Sequence, residues 1–442
     1  MIYIIIAIIS LLCIRTILKK DVISFTFLFS IMVLFLYVIP YILLWDVFKY
    51  NLLVSEKYIN EFFFYILLCF GAFLLGDEVH NFSYRFRKSL LIQEESTEKL
   101  SSNKVEYYSI IIGIIGVIFY SYFIAVSGAE YFKGHGQGDY SIGGYIYELR
   151  YFVFSSILLL YNLYLRKSLS SIGKIWLLMF FIFLLFDAYV QQQRGSWIRF
   201  GIIFLFSNIF YGYDVGQKTK KFTTLFKENR KILFGGMFFL FILVFTVQSR
   251  NFYSSSANVV DVISGTLELM TKSPELLIAG SGIDHGNEFV VAYNAFYGMS
   301  ESSGIDYGFK WLYPFLNFIP RALWKDKPTW ETFSTNAHQY IDKYSVIVHA
   351  VGSAETGLVD TFYRFGWFSP IFFFFMGYSL SLLYRRASKT ISSRSLYICL
   401  FVGFFYFLTQ TMLPLIIFSI YMYLPIRLVL AGSKVKTFRL AK

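Results

Sequence analysis

Charged residues are scarce in this sequence. Asp, Glu, Lys and Arg make up 15% of its 442 residues, against about a quarter in soluble domains. Hydrophobic residues account for 56% of the chain and aromatic residues for 21%. This composition excludes an ordinary soluble globular domain. It is typical of a membrane protein, whose surface faces lipid and whose interfaces carry aromatic side chains.

Cysteine is almost absent, and the familiar metal-binding motifs are missing. The sequence contains no HExxH motif, no Asp-x-Asp pair and no cysteine cluster. All three cysteines lie in apolar runs: Cys13, Cys69 and Cys399. The sequence therefore predicts no disulfide framework, no metal site and no cofactor.

The first residues lack the features of a cleaved signal peptide. No basic segment precedes the apolar run in "MIYIIIAIISLLCIR", and no small-residue cleavage site follows it. We therefore expect this run to be retained as the first membrane span.

Long apolar runs dominate the rest of the chain. A helix needs about 20 mainly apolar residues to cross the hydrocarbon. Eleven runs approach or reach that length: residues 2–18, 22–45, 59–77, 107–126, 145–165, 175–190, 196–212, 232–248, 366–384, 395–412 and 414–430. The last two form one run broken only near Pro414. A single helix over that run would be about 54 Å long, too long for one crossing, so we predict a tight turn there.

The distribution of Lys and Arg predicts the orientation. With the N-terminus outside, 26 of the 40 Lys and Arg fall on the cytoplasmic side. This asymmetry is the positive-inside signal, and it predicts a cytoplasmic C-terminus. The net charge of +12 is thereby explained by topology, so we expect no nucleic-acid partner.

The predicted fold is an all-α polytopic membrane protein with about 11 transmembrane helices. Residues 1–248 form an N-terminal bundle of about eight spans. Residues 249–365 form a large external loop domain, and residues 366–442 form the C-terminal helices and a cytoplasmic tail. Within the loop, 258–270 is amphipathic, while 288–299 and 310–320 are aromatic-rich and too short to span. We expect a lid of short helices over a cavity.

Four of the arginines on the predicted outer side are candidates for a function, because the positive-inside rule disfavours arginine there. They are Arg194, Arg250, Arg321 and Arg364. Guanidinium groups bind phosphate in a planar, bidentate way and stay charged when buried. We therefore predict that these arginines, with Lys327, bind a lipid diphosphate. The alternative is that each guanidinium only reaches into the headgroup layer.

Candidates for a catalytic base lie in the same external segment. His349 is followed by carboxylates six and eleven residues on, Glu355 and Asp360, across a stretch of small residues. We predict a catalytic role for these three; the alternative for the histidine is simple solvation. Asp187, near the outer end of its span, is a further functional candidate with Arg194 as its predicted partner. The alternative there is a structural pair.

Three stretches of the sequence resemble a known family. The stretch "PRALWKDKP" (320–328) is similar to a Pro-Arg-x-x-Trp-x-x-Lys-Pro stretch in the Wzy-type O-antigen or oligosaccharide repeat-unit polymerases of bacteria. A second stretch, "GSAETGLVDTFYRFGW", resembles the family's Gly-x-x-x-Thr…Gly-Glu-x-Tyr-x-Asn-Phe-Gly pattern, with Asp360, Phe362 and Arg364 in place of its Glu, Tyr and Asn. The stretch "QQQRGSW" is similar to the family's Arg-Gly motif at a span end.

The resemblance implies a GT-C-like glycosyltransferase of the bacterial inner (plasma) membrane, with its active site on the periplasmic or outer face. Its donor and acceptor would both be oligosaccharides linked to polyprenyl (undecaprenyl) diphosphate, embedded in membrane lipid. One displacement would invert the anomeric carbon without a metal. The resemblance leaves open a chain-length regulator as a partner protein.

Two other functions compete with this prediction. An O-antigen ligase, which attaches finished glycan to a lipid core, also has a large late external loop with arginines and histidine. A lipid-linked glycan flippase or other transporter would be polytopic as well. A transporter should show internal repeats and charged or broken helices near mid-membrane, and the sequence shows no convincing repeat.

Overall fold

The computed structural model describes residues 2–19, 21, 23–43, 45, 56–88, 101–127, 148–190, 194–214, 264, 268, 288–301, 311, 324–326, 356–387 and 390–434. Within these residues the regular elements are all helical, as predicted. The α-helices are α1 Ile2–Lys19, α2 Phe25–Val33, α3 Ile59–Lys88, α4 Ser102–Ser127, α5 Tyr151–Leu165, α6 Ser171–Val190, α7 Arg194–Asp214, α8 Glu288–Glu301, α9 Gly357–Phe365, α10 Ser369–Ala387, α11 Ile391–Thr409 and α12 Met412–Gly432.

Among the described residues, seven helical segments are long and apolar enough to cross a membrane: Ile2–Lys19, Phe25–Leu43, Ile59–Ser83, Ser102–Val126, Gly357–Ala387, Ile391–Thr409 and Met412–Gly432. Seven predicted spans coincide with them, so the chain is a multi-pass membrane protein. Three more predicted spans coincide with α5, α6 and α7, of which α5 and part of α7 are shorter apolar helices. The predicted span 232–248 lies outside the described residues.

The predicted turn near Pro414 is confirmed. α11 ends at Thr409 and α12 begins at Met412, so the apolar run is divided at residues 410 and 411. Pro414 then lies in the first turn of α12, where the missing backbone N–H of proline costs no helical hydrogen bond.

Each helix that crosses the membrane has one end that the charge pattern predicts to be external. We call this end the outer end of the helix.

The chain divides into two compact units. Unit 1 comprises Met1–Ser89, Lys220–Leu382 and Phe404–Ile416, and unit 2 comprises Leu90–Thr219, Leu383–Gly403 and Ile417–Lys442. This division reflects how the parts of the chain pack in space. The three-part division made from the order of spans and loop along the chain stays a prediction.

Unit 1 has an aromatic core and one very close helix crossing. The ring of Phe29 on α2 meets Phe73 on α3 edge-on at 5.0 Å and stacks on Phe373 of α10 at 5.7 Å between centroids. A Cβ atom added to Gly76 would lie 2.1 Å from the carbonyl oxygen of Phe374, and one added to Gly377 would lie 2.2 Å from that of Phe73. The backbones of α3 and α10 therefore touch through glycine, as small residues permit inside membranes.

α8, in the predicted external segment, is a buried helix of unit 1. It covers the aromatic-rich stretch 288–299, which is too short to span a membrane. All side chains from Phe289 to Phe296 are buried. Phe296 contacts Phe62 of α3 at 5.3 Å and Phe362 of α9 at 4.5 Å between ring centroids. The hydrophobic effect and contacts between tilted rings therefore anchor this short helix inside the unit.

Hydrogen bonds between neighbouring helices stabilise unit 2. The hydroxyl of Ser156 on α5 donates to the carbonyl of Ser109 on α4 at 2.7 Å. Ser170 caps the start of α6 by accepting from the N–H of Gly173, and its own N–H donates to Glu106 of α4 at 3.1 Å. Helix capping by serine satisfies a donor that the helix leaves open. These contacts fix α4, α5 and α6 in one arrangement.

Candidate functional site

The candidate site in unit 1 begins at the start of α9. Thr356, which precedes this helix, has a φ of 68° and is fully buried. A β-branched residue rarely adopts that conformation, and such strain is concentrated at functional sites. The next residue has no room for a side chain, because a Cβ on Gly357 would lie 2.2 Å from the carbonyl oxygen of Phe407 on α11.

The hydroxyl of Thr356 is bound from another helix. Tyr37 donates to it at 2.6 Å. Tyr37 lies in a π-helical turn, Leu34–Val38, that continues α2. Turns of this type occur mostly as local interruptions of α-helices, often at functional sites. The strained start of α9 is thus held from the side by α2.

Asp360 lies one turn into α9 and uses both of its carboxylate oxygens. Oδ1 accepts from Nε of Arg364 at 3.1 Å and pairs with a terminal nitrogen of the same guanidinium at 3.0 Å. Oδ2 accepts from the indole N–H of Trp311 at 3.1 Å and from the backbone N–H of Met412 at 3.0 Å. Asp360 is 3% exposed and Arg364 6%. This is a buried, hydrogen-bonded ion pair.

The carboxylate joins three separate parts of unit 1. Met412 is the first residue of α12, where the helix dipole and the open N–H groups favour a negative charge. Trp311 belongs to the segment predicted to be external, and its ring meets Phe365 of α9 at 5.2 Å and Phe372 of α10 at 5.0 Å. Asp360 therefore fixes α9, α12 and a residue of that segment around one point at the outer end.

Arg364 stands where the resembling family has Asn. It lies on the same face of α9 as Asp360, because residues four apart on a helix are neighbours. Its guanidinium also lies 4.8 Å from the ring centroid of Tyr363. A buried guanidinium with a fixed direction is suited to binding an anion, since its charge does not depend on pH.

Most of the other predicted site residues lie outside the described residues: Arg250, Arg321, Lys327, His349 and Glu355. Arg194 begins α7 in unit 2, and only its backbone is described. From the stretch that resembles the polymerase motif, Trp324, Lys325 and Asp326 are described, and all three are exposed. The roles predicted for these residues stay predictions.

Asp187 in unit 2 is fully buried near the end of α6, and its carboxylate contacts Arg150 and Tyr120. Arg150 lies 3.7 Å away as an ion pair, and Tyr120 of α4 donates a hydrogen bond. The sequence suggested Arg194, a neighbour along the chain, as the partner. Arg150 precedes α5, and its pairing with Asp187 depends on how the helices pack.

Several side chains at these sites could not have been identified from the sequence. Tyr37, Trp311 and Arg150 become partners of functional candidates only through contacts between distant parts of the chain. The exception is Arg364, whose pairing with Asp360 the spacing of four would predict. Within the described ranges, no three His, Cys, Asp or Glu side chains lie close enough together to hold a metal ion.

Comparison of the chain with protein-family models, with curated proteins and with solved structures found no match.

Proposed function

We propose that this protein joins polyprenyl-diphosphate-linked oligosaccharide repeat units into a surface polysaccharide on the outer face of the plasma membrane. The observation that supports the proposal most is the buried Asp360–Arg364 pair at the outer end of unit 1. It follows the strained Thr356 in a stretch that resembles a polymerase motif. Buried ionisable groups in membrane proteins are costly and usually serve a function.

The chemistry needs positive charge at the leaving group. As the anomeric carbon is attacked, the bond to the diphosphate oxygen breaks and negative charge grows on that oxygen. Preorganised guanidinium groups stabilise such charge. We assign this role to Arg364, Arg250 and Arg321, with Lys327. Arg194 remains a separate candidate for the same chemistry.

Asp360 has a different role in this proposal. Its two oxygens accept hydrogen bonds from Arg364, Trp311 and Met412, so it serves as a positioning residue that fixes the direction of the guanidinium. The base that takes the proton of the acceptor hydroxyl is then assigned to His349 or Glu355. A base must lie within hydrogen-bond reach of that hydroxyl, and each is close to Asp360 in the sequence.

A transporter accounts less well for the positions of the charges. Asp360 and Arg364 lie within the first turns of a 31-residue apolar helical segment, Gly357–Ala387, rather than at its middle. Charged groups along a transport path are expected near the bilayer midplane, at broken helices. A reaction at one membrane face instead needs its charged groups at the ends of helices.

Replacing Arg321 by alanine tests the proposal in cells. A deletion strain carrying the Arg321→Ala variant should display surface glycan of a single repeat. Without this arginine, binding of the diphosphate is weakened and chain growth stops. The measurement is electrophoretic separation of surface glycan by length. Lys325→Ala is the matched control: this lysine lies four residues away and is exposed, so long glycan should persist.

Other results of the same experiment have distinct meanings. Lipid-linked polymer that accumulates without transfer would favour the ligase. Normal long glycan from Arg321→Ala would contradict the role given to this arginine.

A further inference from the structure

Unit 2 contains a second group of charged residues, at the outer ends of its helices. Glu148 and Arg150 directly precede α5, Asp187 is near the end of α6, and Arg199 is in the second turn of α7. Arg150, Asp187 and Arg199 are at most 3% exposed. We call this set of four charged residues the unit 2 cluster. The proposed reaction does not use it.

Both guanidinium groups in the unit 2 cluster are held in place. Arg150 pairs with Asp187. Arg199 donates to the hydroxyl of Tyr151 at 3.1 Å. Its guanidinium carbon also lies 5.1 Å from the ring centroids of Tyr151 and Phe154, a distance at which an aromatic face attracts a cation. The positive side of the cluster is therefore in contact with aromatic and acidic partners.

The carboxylate of Glu148 differs from these guanidinium groups in its partners. It interacts with the charges of Arg150 and Arg199 and with the hydroxyl of Tyr151. Its Oε2 atom is buried, and within the described part of the chain it has no hydrogen-bond partner. A buried acceptor without a donor is unfavourable, and most such atoms in native proteins are satisfied by water or a ligand.

The charges of the cluster restrict what could satisfy Glu148. Two guanidinium groups and two carboxylates cancel, so there is no excess positive charge to hold a phosphate. A cation would satisfy the carboxylate, but the guanidinium groups of Arg150 and Arg199 repel it. A neutral hydroxyl donates one hydrogen bond without adding charge, which makes it the donor that the cluster tolerates best.

We infer that the unit 2 cluster binds a neutral, hydroxyl-bearing sugar, with Oε2 of Glu148 accepting a hydrogen bond from one of its hydroxyl groups. Arg150 and Arg199 interact with the carboxylate and fix its orientation. The identification of the sugar as part of the glycan repeat unit rests on the proposed function. The binding itself does not require that any bond be formed or broken.

Binding of a free oligosaccharide tests the inference without turnover. The probe is the repeat-unit oligosaccharide of the producing cell, released from its lipid carrier by mild acid, so that it carries neither diphosphate nor lipid. It is titrated into purified full-length protein in detergent and followed by calorimetry. Wild-type protein should bind it saturably, and Glu148→Gln should weaken binding about ten- to hundredfold, as expected for a hydrogen bond to a charged group.

The matched control is Glu106→Gln, the same chemical change near the start of α4, where the carboxylate binds Ser170. Binding by this variant should equal that of wild type. If Glu148→Gln does not fold, Glu148→Asp is used instead; it keeps the charge but shortens its reach, and should also weaken binding.

Three results would overturn the inference: no binding by wild type, equal binding by wild type and the Glu148 variant, or equal losses in the Glu148 and Glu106 variants. The first would leave a bound water as the partner of Oε2. None of these results would affect the glycan-length test of Arg321, so the two proposals can fail separately.

Discussion

Asp360→Ala is expected to destabilise the protein by about 3–5 kcal/mol, because it removes the carboxylate that faces a buried guanidinium. The variant also loses the acceptor for the indole N–H of Trp311 and for the first N–H of α12. The measurement is the melting temperature of the purified protein in detergent, together with the length of the surface glycan. We expect a clear drop in the melting temperature and loss of long glycan.

A double variant separates stability from activity. Asp360→Leu combined with Arg364→Met removes both charges and keeps apolar volume, and buried ion pairs replaced in this way often retain stability. We expect the double variant to melt closer to wild type than Asp360→Ala does, yet to make no long glycan. Long glycan from the double variant would show that the pair is only structural and would contradict its role in diphosphate binding.

Gly76→Ala and Gly377→Ala are expected to disrupt the crossing of α3 and α10. In each variant the new Cβ would lie about 2 Å from a carbonyl oxygen of the facing helix, so the backbones must separate. Overpacking of a well-packed site costs about 1–3 kcal/mol, and we expect at least that here because the contacted atom belongs to the backbone. Melting temperature and yield in detergent report the effect.

Gly71→Ala is the control on the same helix. A Cβ at this position would meet nothing within 4 Å, and alanine is favoured over glycine in helices by about 1 kcal/mol. The control should therefore be neutral or slightly stabilising. Equal melting temperatures for the Gly71 and Gly76 variants would mean that α3 and α10 do not approach as closely as described.

Much of the fold of the described residues could be predicted from the sequence, because crossing a membrane requires long apolar runs. Hydropathy marks where a helix meets lipid, but it does not mark where the helix ends. α3 was predicted as a span over 59–77, whereas it continues to Lys88. Its last residues include Arg85, Arg87 and Lys88, and nothing in them prevents a helix from extending beyond the hydrocarbon.

The candidate sites could be predicted only in part. Asp360 and Arg364 were found through a resemblance, and their pairing follows from a spacing of four on one helix. The other partners of Asp360 are 49 and 52 residues away along the chain, and Tyr37 is 319 residues from Thr356. Such contacts depend on how the helices pack.

Burial also changes how some charges are interpreted. Arg150 and Arg199 lie near connections that the charge pattern predicts to be external. Both are buried against Tyr151 in unit 2. Arginine can cover its apolar stem and still find polar partners, so position along the chain alone could not distinguish a headgroup contact from a buried cluster.

Reconstitution of the purified wild-type protein tests the central claim most directly. The protein is placed in liposomes with a polyprenyl-diphosphate-linked repeat unit as the only glycan substrate, and the products are separated by length. The proposed function predicts a ladder of two or more joined repeats, with one polyprenyl diphosphate released for each bond formed. If no product is longer than one repeat while the substrate remains accessible and intact, the claim is contradicted.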